Sequence, residues 1–87
     1  MTTKLKLLYF ARLREALGTT QEEVVLPPEV GNVQELMVWL AQRGGAWQEQ
    51  FSGCRPLRAV INQELAPNAA PIKAGDEVAF FPPVTGG

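Results

Sequence analysis

The sequence contains no histidine. That absence removes the commonest general base, the serine–histidine pairing of many hydrolases and the usual zinc ligand together. A single cysteine, Cys54, permits neither an intrachain disulfide nor a cysteine metal cluster, and it favours a reducing compartment. Arg55 beside it would lower a thiol pKa, but no second cysteine or histidine supports a reactive role. No segment approaches the ~20 consecutive apolar residues that cross a bilayer. The short apolar run from Leu7 to Ala11 stops at Arg12 with no recognisable cleavage region behind it, so it is not read as a signal peptide and the expected address is the cytoplasm. A net charge of −1 offers no electrostatic reason to bind nucleic acid or an anionic membrane, and neither is expected as a partner. There is also no glycine-rich phosphate loop and no internal repeat. A self-contained enzyme is therefore not expected.

What is present fits one small globular domain. With 87 residues, 46% of them hydrophobic, there is enough apolar material for a single core and little room for a deep pocket. Lys4 to Ala11 alternates, with Leu5, Leu7 and Tyr9 on one face and Lys4, Lys6, Leu8 and Phe10 on the other, as a strand does. The second face begins polar and turns apolar at Leu8. Arg12 to Leu17 carries helix formers and stops at Gly18, a short helix with a glycine cap. Glu22 to Leu26 is a second strand, closed by Pro27-Pro28 and expected to pair antiparallel with the first.

Asn32, with Glu35 three residues on, reads as a capping box, and Val33, Leu36, Met37, Leu40 and Ala41 then mark one buried helix face ended by Gly44-Gly45. Ala46 to Phe51 suits a further helical turn, with Trp47 and Phe51 one turn apart over an edge of the core. Leu57 to Asn62 alternates as a strand, Asn62-Gln63 suits a turn, and Leu65 lies just beyond. Lys73 to Asp76 turns the chain into a last strand, Glu77 to Phe81. One apolar helix stripe needs one apolar sheet face, so the order predicts an α+β, grasp-like fold: a mixed sheet of four to five strands packed on one main helix, with short extra helical turns.

The sequence closes on Pro82-Pro83-Val84-Thr85-Gly86-Gly87. The prolines stop both helix and ladder, and two glycines without Cβ atoms can thread a channel too narrow for side chains. A short end segment is on general grounds simply frayed. The division expected is a body over 1–81 and a tail over 82–87.

Leu8-Tyr9-Phe10-Ala11 with Arg14-Glu15, Val60-Ile61-Asn62-Gln63, and above all the closing block from Gly75 to Gly87 resemble the ubiquitin-like β-grasp sulfur carriers, in particular those of the molybdopterin synthase small-subunit (MoaD) type. The resemblance implies that an E1-like enzyme uses ATP and magnesium to adenylate the carboxylate of Gly87, and that a sulfur donor protein then converts it to a thiocarboxylate. It implies further that the tail, slim at Gly86, enters the synthase large subunit and gives its sulfur to cyclic pyranopterin monophosphate, forming the dithiolene of molybdopterin. A heterotetramer of two small and two large subunits is the implied assembly. No cofactor or metal is expected on this chain itself. Relatives in which a diglycine forms isopeptide bonds, or supplies sulfur for thiamine or tRNA thiolation, keep a modifier or other carrier role open, as does a plain interaction domain with an inert tail.

Phe80 and Phe81 are consecutive in a strand and so point to opposite faces. With the first and last strands parallel neighbours, as in a β-grasp, Phe81 shares an outer face with Leu8 and Phe10. Leu65 is expected to extend that patch and Arg14 to rim it, with Pro82, Pro83, Val84 and Thr85 completing the partner contact. The competing expectation is that the loop from Ala66 to Ile72 folds over the patch as a satellite core.

Overall fold

The computed structural model describes residues 3–52 and 57–82. Five strands form one sheet in the order β2-β1-β5-β3-β4: β1 is Thr3–Tyr9, β2 Gln21–Leu26, β3 Arg58–Ile61, β4 Glu64–Ala66 and β5 Glu77–Phe81. Three helices accompany it, α1 (Arg12–Leu17), α2 (Val33–Ala41) and α3 (Gly45–Phe51). β1 pairs antiparallel with β2 and parallel with β5, which pairs antiparallel with β3 on its other side. This is the mixed, grasp-like sheet that the element order predicts, with the full five strands.

The sheet's inner face supplies Leu5, Leu7, Tyr9, Val24, Leu26, Ala59, Val78 and Phe80, all buried, against Leu13 of α1, Val33, Leu36 and Leu40 of α2, and Phe51 of α3. Each such leucine or phenylalanine contributes roughly 1.5–3 kcal/mol by leaving water. The core's aromatic end is a cluster in which Phe51 meets Phe80 edge-on at 5.2 Å and Tyr9 meets Trp47 edge-on at 5.4 Å, geometries that set ring edges against ring faces. Trp47 and Phe51 thus cover the core edge as their spacing predicts.

Caps are local and follow the sequence closely. Gly18 takes φ 73° after α1 and its N–H donates to the Arg14 carbonyl at 3.0 Å, the left-handed stop that glycine adopts without strain. Asn32 is extended and its Oδ1 accepts from the Glu35 N–H at 2.8 Å, satisfying an orphan donor of α2. The return arm differs from a standard capping box, because Glu35 Oε1 accepts from the N–H of Gly31, one residue earlier than Asn32.

Two boundaries differ from expectation. α2 ends at Ala41 rather than at Gly44-Gly45, because the N–H groups of Gln42, Arg43 and Gly44 bond back in tight turns to Val38, Trp39, Leu40 and Ala41. The glycine pair instead starts α3, with Gly44 as its N-cap and Gly45 as its first residue, both at positive φ. Among the described residues no helix is long and apolar enough to cross a membrane.

Candidate functional site

The outer face of the sheet is divided in two. Near the start of β1 it is charged: Lys4 lies 3.6 Å from Glu23, and Lys6 stands between Glu23 and Glu77 in register. Toward the end of β1 it becomes apolar. Leu8 pairs with Ala79, Ala79 with Val60, and Val60 with Leu65, so four side chains from four adjacent strands form one row. At the usual strand separation that row spans roughly 15 Å. One step further along the strands stand Phe10 and Phe81, and Phe81 faces Arg58 across the β3–β5 ladder.

Two of the four exposed large hydrophobic residues among those described, Phe10 and Leu65, lie on or beside this strip; the others are Val25 and Val38. Phe10 is 47% exposed and Leu65 67%, while Leu8, Val60 and Phe81 are half-buried. Ala79 is only 9% exposed yet stands apart from the main core. The loop that would have covered the strip lies on the other side of the sheet. Pro71 bridges to Asn32, Val33 N–H donates to the Ala70 carbonyl at 3.1 Å, and Ile72 is buried within the main core. Among the described residues that loop does not cover the strip, and an apolar surface of this kind on a small domain is characteristic of an interface.

The backbone explains how Phe10 and Phe81 come together. Phe10 N–H donates to the Phe80 carbonyl at 3.2 Å, continuing the parallel β1–β5 ladder by one residue past Tyr9 and Phe80. Because Phe80 is fully buried beneath Tyr9, Phe81 is forced to the opposite face. The chain then leaves the sheet at Pro82, which is half-buried. Pro83, Val84, Thr85, Gly86 and Gly87 lie outside the described residues, as does Cys54.

Phe10, Leu65 and Phe81 therefore share one face, as the alternation predicts. Arg14 does not join their rows: it is exposed on α1 and lines a shallow polar depression with Glu15, Gly18, Thr19 and Thr20. The cation in register with the strip is Arg58. Ala79 faces outward with Phe81 as the alternation of β5 predicts; Val60 completes the row and escaped the sequence argument, although its outward direction follows from the alternation of β3. The row's side chains carry neither a nucleophile nor an acid–base group.

The ThiS family matches residues 7–87. The molybdopterin synthase sulfur carrier subunit of Haemophilus influenzae is 40% identical over 83 residues, covering 95% of this chain and 99% of the relative. Among solved structures, a Pyrococcus furiosus protein described as molybdopterin converting factor subunit 1 superposes with a TM-score of 0.76 at 30% identity, covering 94% of this chain and 99% of that one. SAMP1 of Haloferax volcanii superposes with a TM-score of 0.75 at 25% identity over 97% of this chain and 99% of its own. With the family's pattern running from β1 through the closing diglycine, and a relative of 40% identity along nearly the whole length, the chain belongs to the ThiS family.

Proposed function

We propose that this chain is the sulfur carrier subunit of a molybdopterin synthase. The observation that carries the reading is the apolar strip from Leu8 to Leu65, with Phe10 and Phe81 beside it, exposed at the point where β5 runs into the Gly-Gly tail. A domain that docks there presents its tail to the partner's active site. The sulfur-carrier relative supports the same role.

The chemistry belongs to Gly87. A free α-carboxylate has a pKa near 3.5, so at neutral pH it is an anion and a poor electrophile. An E1-like partner activates it with ATP and magnesium: carboxylate oxygen attacks the α-phosphorus, pyrophosphate leaves, and an acyl-adenylate forms. A sulfur donor protein then displaces AMP, leaving a thiocarboxylate. Docked on the synthase large subunit in a two-plus-two heterotetramer, the tail threads inward past Gly86 and passes its sulfur to cyclic pyranopterin monophosphate. The carrier itself binds no cofactor or metal, and its cytoplasmic setting keeps Cys54 reduced.

The test is intact-mass measurement after incubation with activating enzyme, ATP and a sulfur source. The expected product is heavier by the difference between sulfur and oxygen, and deletion of Gly87 abolishes the gain. No gain, or a gain that survives the deletion, overturns the reading. The likeness to SAMP1, a small archaeal modifier protein, favours a second reading as a protein modifier. Lysine-linked adducts in extracts would mark that role, and a thiocarboxylate without adducts excludes it.

A further inference from the structure

Between β1 and α1 the chain reverses within a very short span, because Tyr9 and Leu13 are both buried in the core. The turn that achieves this has the Leu13 N–H donating to the Phe10 carbonyl and the Arg14 N–H donating to the Ala11 carbonyl, each at 3.1 Å. Ala11 stands at φ 54°, ψ −129°. These are the angles of the first central residue of a type II′ turn, a position glycine ordinarily fills because a Cβ is crowded there.

A strained residue persists only where its surroundings over-determine it. Here they do: Tyr9 and Leu13 anchor both sides, and the Phe10 N–H is committed to the Phe80 carbonyl of the last strand. Phe10 is therefore pinned by its N–H to β5 and by its carbonyl to α1, with its ring outward at 47% exposure. Glycine in place of Ala11 would relieve the crowding, but it would also widen the range of ψ open to the turn. The alanine keeps that range narrow at an energetic cost.

We propose that Ala11 is a positioning residue for docking: by holding the β1–α1 turn in one strained conformation it fixes Phe10 on the outer face that Phe81 shares, at the root of the tail. The inference rests on the outer strip being the surface that receives the large subunit. Pre-organising an anchor in this way lowers the ordering cost of association.

Three full-length chains test it against purified molybdopterin synthase large subunit: the natural sequence, Ala11→Gly, and a chain with D-alanine in place of Ala11, assembled by ligating residues 1–53 to 54–87 at Cys54. The observed angles mirror a conformation that L-residues favour, so D-alanine removes strain without adding freedom. Ala11→Gly is expected to raise Tm by roughly 2–6 °C yet weaken binding by about 3–10-fold, mainly through faster dissociation. The D-alanine chain is expected to raise Tm and bind as the natural chain does. A merely structural role would move stability and affinity in the same direction. Phe10→Ala serves as the control. If it binds normally, the docking surface itself is misassigned; if it binds weakly while Ala11→Gly binds fully, or if Ala11→Gly is less stable, the positioning role is overturned and the docking surface stands.

Discussion

The Tyr9 hydroxyl donates to Glu22 Oε2 at 2.7 Å, and the same carboxylate is held from its other side by both terminal nitrogens of Arg43, at 2.9 and 3.2 Å. The guanidinium in turn lies 4.4 Å from the centroid of Trp47 and 5.4 Å from that of Trp39. One carboxylate thus ties β1 and β2 to the corner between α2 and α3. Glu22→Ala leaves the Tyr9 hydroxyl without its acceptor and frees Arg43, while Glu22→Gln keeps an acceptor in place. The pair is partly exposed, so the ionic share is screened. Urea unfolding is expected to show a loss of about 1–3 kcal/mol for Glu22→Ala and a smaller loss for Glu22→Gln. Equal midpoints for the two would mean that the hydrogen bond contributes nothing.

Tyr9 is the only tyrosine, so its ionisation can be followed without interference from another phenol. Burial, then the hydrogen bond to Glu22, then that carboxylate's negative charge push its pKa well above the ordinary phenol value, with Arg43 pulling weakly the other way. The unfolded phenol loses its proton near pH 10 while the folded one keeps it. Stability from this group is therefore whole below about pH 10 and falls as pH rises beyond it. Phenolate absorbance should emerge together with loss of the fold, and Tyr9→Phe should flatten the alkaline decline. A phenolate that titrates near pH 10 in a chain still folded by circular dichroism would refute the burial effect.

Phe80 and Phe81 are neighbours with opposite fates, and their alanine variants should separate fold from docking. Phe80 is fully buried among Tyr9 and Phe51, so Phe80→Ala is expected to cost about 3–5 kcal/mol and to lower Tm steeply. Phe81→Ala should keep the fold and weaken large-subunit binding by roughly 2 kcal/mol, as a central aromatic anchor does. Calorimetric melting and titration of both variants decide the matter. Global unfolding of Phe81→Ala, or its unchanged affinity, would overturn the interface assignment.

Much of this architecture is readable in the residues because the signals are short-range. The alternation of β1, the glycine at the end of α1 and the Asn32 cap each depend on residues within a turn of one another. Phe10, Leu65 and Phe81 could be placed on one face because strand alternation is strict. Register is different, since it depends on which distant strand lies alongside. Val60 and Arg58 join the strip only once β3 is known to lie against β5 with Val60 facing Ala79 and Arg58 facing Phe81. Arg14, expected at the rim, is exposed on α1 and lines a depression with Thr19 and Thr20. The Tyr9–Glu22–Arg43 link had no sequence signature, its members being 13 and 21 residues apart. The Gly44-Gly45 pair after α2 misled for a physical reason: glycine at positive φ suits the start of α3 as well as the end of a helix.

The sheet order places β5, the last strand in the sequence, between β1 and β3. During synthesis the earlier segments can therefore form only two unconnected hairpins, β1 with β2 and β3 with β4, and neither has a partner for its inner edge. An isolated two-stranded hairpin is marginal in water. Closure must wait for a pairing that joins opposite ends of the chain, the kind of distant contact that slows folding. A chain cut short before Glu77 lacks the strand that joins the two hairpins into one sheet.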